Sequence, residues 1–141
     1  ATEVPALTIR VNRIFNSQAS YGEITLFNLA AGCDAGNSAS GKFLKVKIYK
    51  NAVLGGPVNF QYVDSSRSLV VCDTAATSVS AGPLTQTIKE IIVAANDSVI
   101  LKLLDENFYI SNGETITVAV QRGGSSDVDN ALISISWFED Q

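Results

Sequence analysis

Apolar and polar residues take strict turns along short stretches of this chain, and helical spacing is nearly absent. A period of two is the mark of strands with one buried and one wet face. Leu7, Ile9 and Val11 share a face, with Thr8, Arg10 and Asn12 on the other. Ile24 to Leu29 reads as a second strand, and Leu44, Val46 and Ile48 set against Lys45, Lys47 and Tyr49 as a third. Val58, Phe60 and Tyr62 alternate with Asn59, Gln61 and Val63 in a fourth, and Ser68 to Asp73 is a shorter, more continuous apolar run. Leu84 to Ala94 and Ser98 to Leu104 are ambiguous. Ile88, Ile91 and Ile92 fit a helical face, but β-branched Ile91, Ile92 and Val93 lose χ1 freedom in a helix, so the first segment is read as strand. Thr115 to Gln121 alternates through Ile116, Val118 and Val120. In Ala131 to Phe138, Ile133, Ile135 and Trp137 face one way and Ser134 and Ser136 the other.

Eight or nine such strands joined by Gly, Ser, Asn and Asp turns predict an all-β chain folded as an antiparallel β-sandwich, with a jelly roll as the expected winding. An immunoglobulin-like sandwich ranks second, because two cysteines 39 positions apart and a Trp near the C-terminus do not match its pattern. No repeat or linker divides the sequence, so residues 1–141 are read as one domain. The stretches Ala30 to Gly41 and Thr74 to Pro83 read as long loops of small residues.

Hydrophobic residues make up 46% of the chain and charged residues only 17%, the balance of a folded protein rather than a disordered one. Net charge is −4, and the only dense basic group is Lys42, Lys45, Lys47 and Lys50, which reads as a solvated strand face. A nucleic-acid partner is not expected, since phosphate binding needs clustered Lys and Arg. No apolar run approaches the roughly 20 residues of a membrane span, so no membrane partner is expected either. Ala1-Thr2-Glu3-Val4-Pro5 lacks the regions of a signal peptide, which predicts a product made in the cytoplasm. In that compartment Cys33 and Cys72 are expected to be reduced thiols.

Catalytic chemistry finds little purchase. The chain has no His, which removes the commonest general base, the Ser-His-Asp and Cys-His arrangements, and most zinc sites. Cys33 has no sequence-visible activator. Glu114 and the pair Asp105-Glu106 lie beside turns, where carboxylates commonly bond backbone amides rather than work as an acid–base pair. Gly55-Gly56-Pro57 and Gly123-Gly124-Ser125 precede no helix, so both read as turns rather than phosphate loops. The sharpest metal candidate is Ser125 to Asn130, where Asp127, Asp129 and Asn130 offer oxygens to Ca²⁺. Two carboxylates fall short of the six or more oxygens such an ion takes, and Asx turns account for both, so neither a metal nor another cofactor is expected.

The second half resembles a class of small virion proteins of tailed bacteriophages. The resemblance rests on Asn59-Phe60-Gln61-Tyr62-Val63-Asp64, Ser68-Leu69-Val70-Val71 and Asp73-Thr74-Ala75-Ala76-Thr77. It continues through Gly113-Glu114-Thr115-Ile116-Thr117-Val118, Ser125-Ser126-Asp127-Val128 and Ser134-Ile135-Ser136-Trp137-Phe138-Glu139-Asp140. It implies a jelly-roll domain that decorates or cements a capsid, or sits in a tail or fibre. It also implies trimers as the usual assembly, with the chain itself and the major capsid protein or other virion proteins as partners.

The residues point to an interface protein independently. A weakly charged sandwich without catalytic groups suits a product whose work is contact, built from aromatic and aliphatic anchors with a polar rim. Phe15, Tyr21, Phe27, Tyr49, Phe108, Tyr109 and Phe138 are the candidate anchors. Phe138 leads, because alternation aims it away from Ile133, Ile135 and Trp137. A carbohydrate-binding or lectin-like domain is the alternative, and an enzyme with a site assembled across loops is third.

Overall fold

Fourteen strand segments, eight of them four residues or longer, make up the regular structure of the described residues, with no α-helix among them. The computed structural model describes residues 2–15, 18–19, 22–36, 41–106, 108–124 and 130–140. In chain order the strands are β1 (Val4–Val11), β2 (Ile14–Phe15), β3 (Gln18–Ala19), β4 (Glu23–Asp34), β5 (Phe43–Lys50), β6 (Val53–Gly55) and β7 (Gln61–Tyr62). They continue as β8 (Val70–Asp73), β9 (Ser78–Ser80), β10 (Gln86–Ala94), β11 (Asp97–Lys102), β12 (Tyr109–Ser111), β13 (Thr115–Gly123) and β14 (Asn130–Asp140). A single 3₁₀ turn, Leu104–Glu106, separates β11 from β12.

The larger sheet runs β10-β5-β13-β1-β8-β7. The smaller sheet is built on β4, which pairs along one edge with β11 and then β12, and along the other with the full length of β14. Every pairing is antiparallel. The order is nested, with β1 on β13, β4 on β11 and β5 on β10. The two sheets pack face to face as an all-β sandwich, the class that alternation predicts.

Alternation supplies the core directly. Ile9 and Val11 of β1, Leu44, Val46 and Ile48 of β5, Val93 of β10, and Ile116 and Val118 of β13 point inward from the larger sheet. Ile24, Leu26, Leu29, Ala31 and Cys33 of β4 meet them from the smaller one. Burying each Ile, Leu or Val side chain contributes about 1.5–3 kcal/mol, so this cluster is the main stabilising term. The ambiguous Gln86–Ala94 is strand, with Val93 buried, Ile88 and Ile91 against the core, and Ile92 exposed.

Three stretches differ from the pattern-based reading. Val58 to Phe60 is not strand, leaving only β7 of the expected fourth strand. Pro57 has no amide to donate, and the Asn59 amide donates to the Asp73 carboxylate at 2.6 Å instead of to a neighbouring strand. Ala30 to Asp34 extends β4 rather than opening a loop, because Ala31 and Cys33 keep the inward phase and bury against the core. Within Thr74 to Pro83 lies β9, which pairs with β6.

Residues 53–60 and 74–83 form a layer over the outer face of the larger sheet. Asp73, 2% exposed and opposite Thr8 on that face, accepts amide hydrogen bonds from Asn59 (2.6 Å), Ala76 (3.0 Å) and Ala75 (3.3 Å). The guanidinium of Arg10, on the same face, sits 4.1 Å from the centre of the Phe60 ring. Beneath this layer Thr8 and Thr117 are buried and share a hydroxyl–hydroxyl hydrogen bond of 2.8 Å. Gly124 closes the far end of β13 with φ +94°, in a position where a Cβ would collide with the Gly41 carbonyl.

Candidate interaction face

The smaller sheet has no comparable layer among the described residues. Its inward residues are fixed by the core, so strand geometry turns Thr25, Ala30, Gly32 and Asp34 of β4 outward. Leu132 lies opposite Gly32, Ser134 opposite Ala30, Ser136 opposite Asn28 and Phe138 opposite Thr25. On the other side of β4, Ser98 is paired with Gly32, Ile100 with Ala30, Lys102 with Asn28 and Tyr109 with Thr25.

Two apolar ridges result. Ile100 and Leu132, each 68% exposed, flank a floor of Ala30, Gly32, Ser98 and Ser134, enclosing a shallow depression of about 450 Å³. Toward the other end, Phe138 is 55% and Tyr109 57% exposed. Phe138 meets Phe27 with ring centres 5.1 Å apart and planes tilted by 58°. Phe27 is there because β4 carries one extra residue opposite the Ser136/Trp137 step, a bulge that re-aims its side chain.

Below this face the strand is anchored inward. Ile133, Ile135 and Trp137 pack half-buried against the core. Glu139 receives hydrogen bonds from Ser68 Oγ, the Leu69 amide (3.3 Å) and Trp137 Nε1 (3.1 Å), tying the end of β14 to the chain entering β8.

Of the candidate anchors, Phe138, Tyr109 and Phe27 gather on this one face. Phe108 packs against the core instead, and Tyr49 lies half-buried on the larger sheet, donating to Glu3 at 2.7 Å. The side chains of Phe15 and Tyr21 lie outside the described residues. Alternation also reaches Ile100 and Leu132, which the candidate anchors did not include. Ile100 is out of phase with inward Val99 and Leu101, and Leu132 is in phase with Phe138.

The chemical candidates have structural employment. Glu114 accepts from the Ser111 amide (3.0 Å) and hydroxyl (2.9 Å) and pairs with Lys50 at 3.0 Å. Burial pushes its carboxyl up, but the Ser111 amide, the Lys50 ammonium and the Ser111 hydroxyl outweigh that and hold it below the usual carboxylate range. Glu106 pairs with Lys89, away from this cluster in sequence and in partner. Cys33 is buried in the core; burial pushes its thiol up, away from the reactive thiolate, and Cys72 is likewise a free thiol. Asp127 and Asp129 lie outside the described residues, and Asn130 begins β14. No group of three or more His, Cys, Asp and Glu suited to a metal occurs among the described residues.

The lysine group also divides. Lys45 and Lys47 lie on the outer face of the larger sheet, paired with Glu90 (3.4 Å) and Glu3 (3.5 Å). Lys42 is buried rather than solvated, because it precedes β5 and turns its ammonium toward the Ala35 carbonyl at 3.4 Å. No helix of the described residues is long and apolar enough to cross a membrane. Comparison with protein-family models, with curated protein sequences and with solved structures gives no match for this chain.

Proposed function

We propose that this chain is a non-enzymatic structural protein of a bacteriophage virion, a capsid decoration or cement protein that acts through protein–protein contacts. The observation that carries the reading is the apolar face of the smaller sheet, which the described residues leave uncovered, set against a larger sheet whose outer face is partly layered over. The exposed parts of Ile100, Leu132, Tyr109, Phe138 and Phe27 sum to on the order of 500 Å², the scale at which apolar patches mark contact sites. A stable interface buries about 800 Å² per partner, so these side chains would supply its apolar anchors, with Ser98, Ser134, Ser136 and Asn28 as the polar positions between them. The virion assignment rests on the phage resemblance of residues 58–140, and the nested strand pairing supports a jelly-roll winding.

A carbohydrate-binding domain is the second reading, favoured by the exposed rings of Tyr109 and Phe138. The tilt between Phe27 and Phe138 counts against a flat sugar platform.

Co-sedimentation with capsids of the phage that encodes the chain tests the proposal. Wild-type protein is expected to bind and to raise capsid resistance to heat, and Ile100→Asp/Leu132→Asp to lose both while keeping its fold. Absence of capsid binding by the wild type, or glycan-array binding abolished by Tyr109→Ala, would reject it.

A further inference from the structure

Strand edges decide what a sandwich does with its own copies, because an unpaired edge offers a row of backbone donors and acceptors. Three of the four edges of the two packed sheets are blunted. At one end of the larger sheet, β10 carries Lys89 and Glu90 and a bulge between Thr87 and Lys89. At its other end, β7 is only two residues long. On the smaller sheet, the β11–β12 edge is interrupted by the 3₁₀ turn and bears Asp97 and Lys102.

The fourth edge is β14, which is neither short, bulged nor interrupted, and whose charges are confined to its last two positions. It runs for eleven residues, contains no Pro, and carries its only charges at Glu139 and Asp140. The bulge in its pairing lies on β4, where Phe27 is the extra residue, so β14 itself alternates without a break. Among the described residues it pairs with β4 alone.

We propose that β14 pairs antiparallel with β14 of a second copy about a two-fold axis at Ile135, joining the two smaller sheets into one continuous sheet. This rests on the reading of the chain as an assembly domain and names its first partner. The register follows from the sequence of the strand. Centring on Ile135 uses all eleven residues and sets Leu132 opposite Phe138 of the second copy and Ser134 opposite Ser136. On the inner side it sets Ile133 opposite Trp137, covering side chains that are only half-buried in one copy. Glu139 and Asp140 then face Ala131 and Asn130, so no like charges oppose each other. Moving the axis to Trp137 would set Glu139 against Ile135, and moving it to Ile133 would leave Trp137 and Phe138 without partners. Pairing over eleven residues supplies about ten backbone hydrogen bonds and merges the two apolar faces.

Native mass spectrometry and sedimentation velocity on the whole chain at micromolar concentration test this. The expected species has twice the 15.0 kDa mass of one chain. Ser134→Lys places a charge beside the axis on an exposed position, and is expected to give a monomer with an unchanged circular dichroism spectrum. Ile135→Cys is expected to form a disulfide-linked dimer on mild oxidation, which the wild type with only Cys33 and Cys72 does not. A wild-type trimer, the closure that the phage resemblance implies, would overturn the edge pairing. So would a dimer that survives Ser134→Lys. Self-association lost in Ile100→Asp but intact in Ser134→Lys would overturn the edge pairing and leave the assembly reading standing. A wild-type monomer that also fails to bind capsids would remove both.

Discussion

Asp73→Ala should release the layer over the larger sheet and cost a large fraction of the protein's stability. The carboxylate is 2% exposed and accepts three amides, from Asn59 at 2.6 Å, Ala76 at 3.0 Å and Ala75 at 3.3 Å. A hydrogen bond to a charged group contributes about 1.5–3 kcal/mol, and an amide left unpaired in a buried site costs a similar amount. Two good bonds and one long one, less the relief of not burying a charge, give a loss of about 3–4 kcal/mol. Against a typical total of about 5–15 kcal/mol that is severe but survivable. At roughly 4 °C per kcal/mol for a domain of this size, the melting point should fall by about 12–16 °C. Asp73→Asn keeps one acceptor oxygen and should lose about half as much. Urea denaturation followed by circular dichroism gives the free energy, and limited proteolysis between residues 53 and 60 reports whether the layer lifts. A loss under about 1 kcal/mol with unchanged protease resistance would refute the clamp.

Thr8→Val or Thr117→Val alone should destabilise by about 1–3 kcal/mol, and the double variant by much less, because the pair removed together leaves no buried hydroxyl stranded; a double-mutant cycle in urea checks it. Trp137→Ala should lower stability by about 3 kcal/mol, the low end for a core aromatic since the ring is half-buried, read from the melting transition. Glu114 has a folded-state pKa below its unfolded one, so its contribution is present above the ordinary glutamate range and lost as pH falls toward the folded value; Glu114→Gln should flatten the acid limb of the stability–pH profile. Melting points in excess chelator and in millimolar Ca²⁺ should coincide, and an upward shift abolished by Asp127→Ala/Asp129→Ala would instead establish a calcium site.

Much of the fold was legible because one signal, the period of two, acts wherever a strand has one wet face. It found β5, β13 and β14 in the right phase, and chose strand for Gln86–Ala94 on the stiffness of its β-branched residues. It failed where long-range hydrogen bonding overrides local pattern. Val58 to Phe60 alternates correctly, yet the Asp73 carboxylate takes the Asn59 amide that a ladder would need. It also undervalued small residues: Ala30 to Asp34 reads as loop by composition, but Ala31 and Cys33 keep the inward phase of β4 and bury against the core. The candidate face was half legible. Phase places Phe138 and Leu132 outward together, but that Tyr109, Phe27 and Ile100 share their side follows from β4 lying between β14 and β11–β12, a pairing no local pattern encodes.

The layer on one outer face and the apolar surface that the described residues leave uncovered on the other give the molecule a front and a back. A peptide inserted at Pro83-Leu84, where Leu84 is 78% exposed, would leave from the end of the sandwich, where Lys50, Asn51 and the Asn112–Glu114 turn gather beside it. That turn is pinned on both sides, since Thr85 Oγ1 accepts from the Gly82 amide and donates to the Asn51 carbonyl, so an insertion between them is held at a fixed root. A chain docked by its smaller sheet would then hold every such insertion at its side, clear of the docked face. The position is a natural place to mount an epitope or enzyme on an ordered lattice, with the display direction set by the protein rather than by a linker.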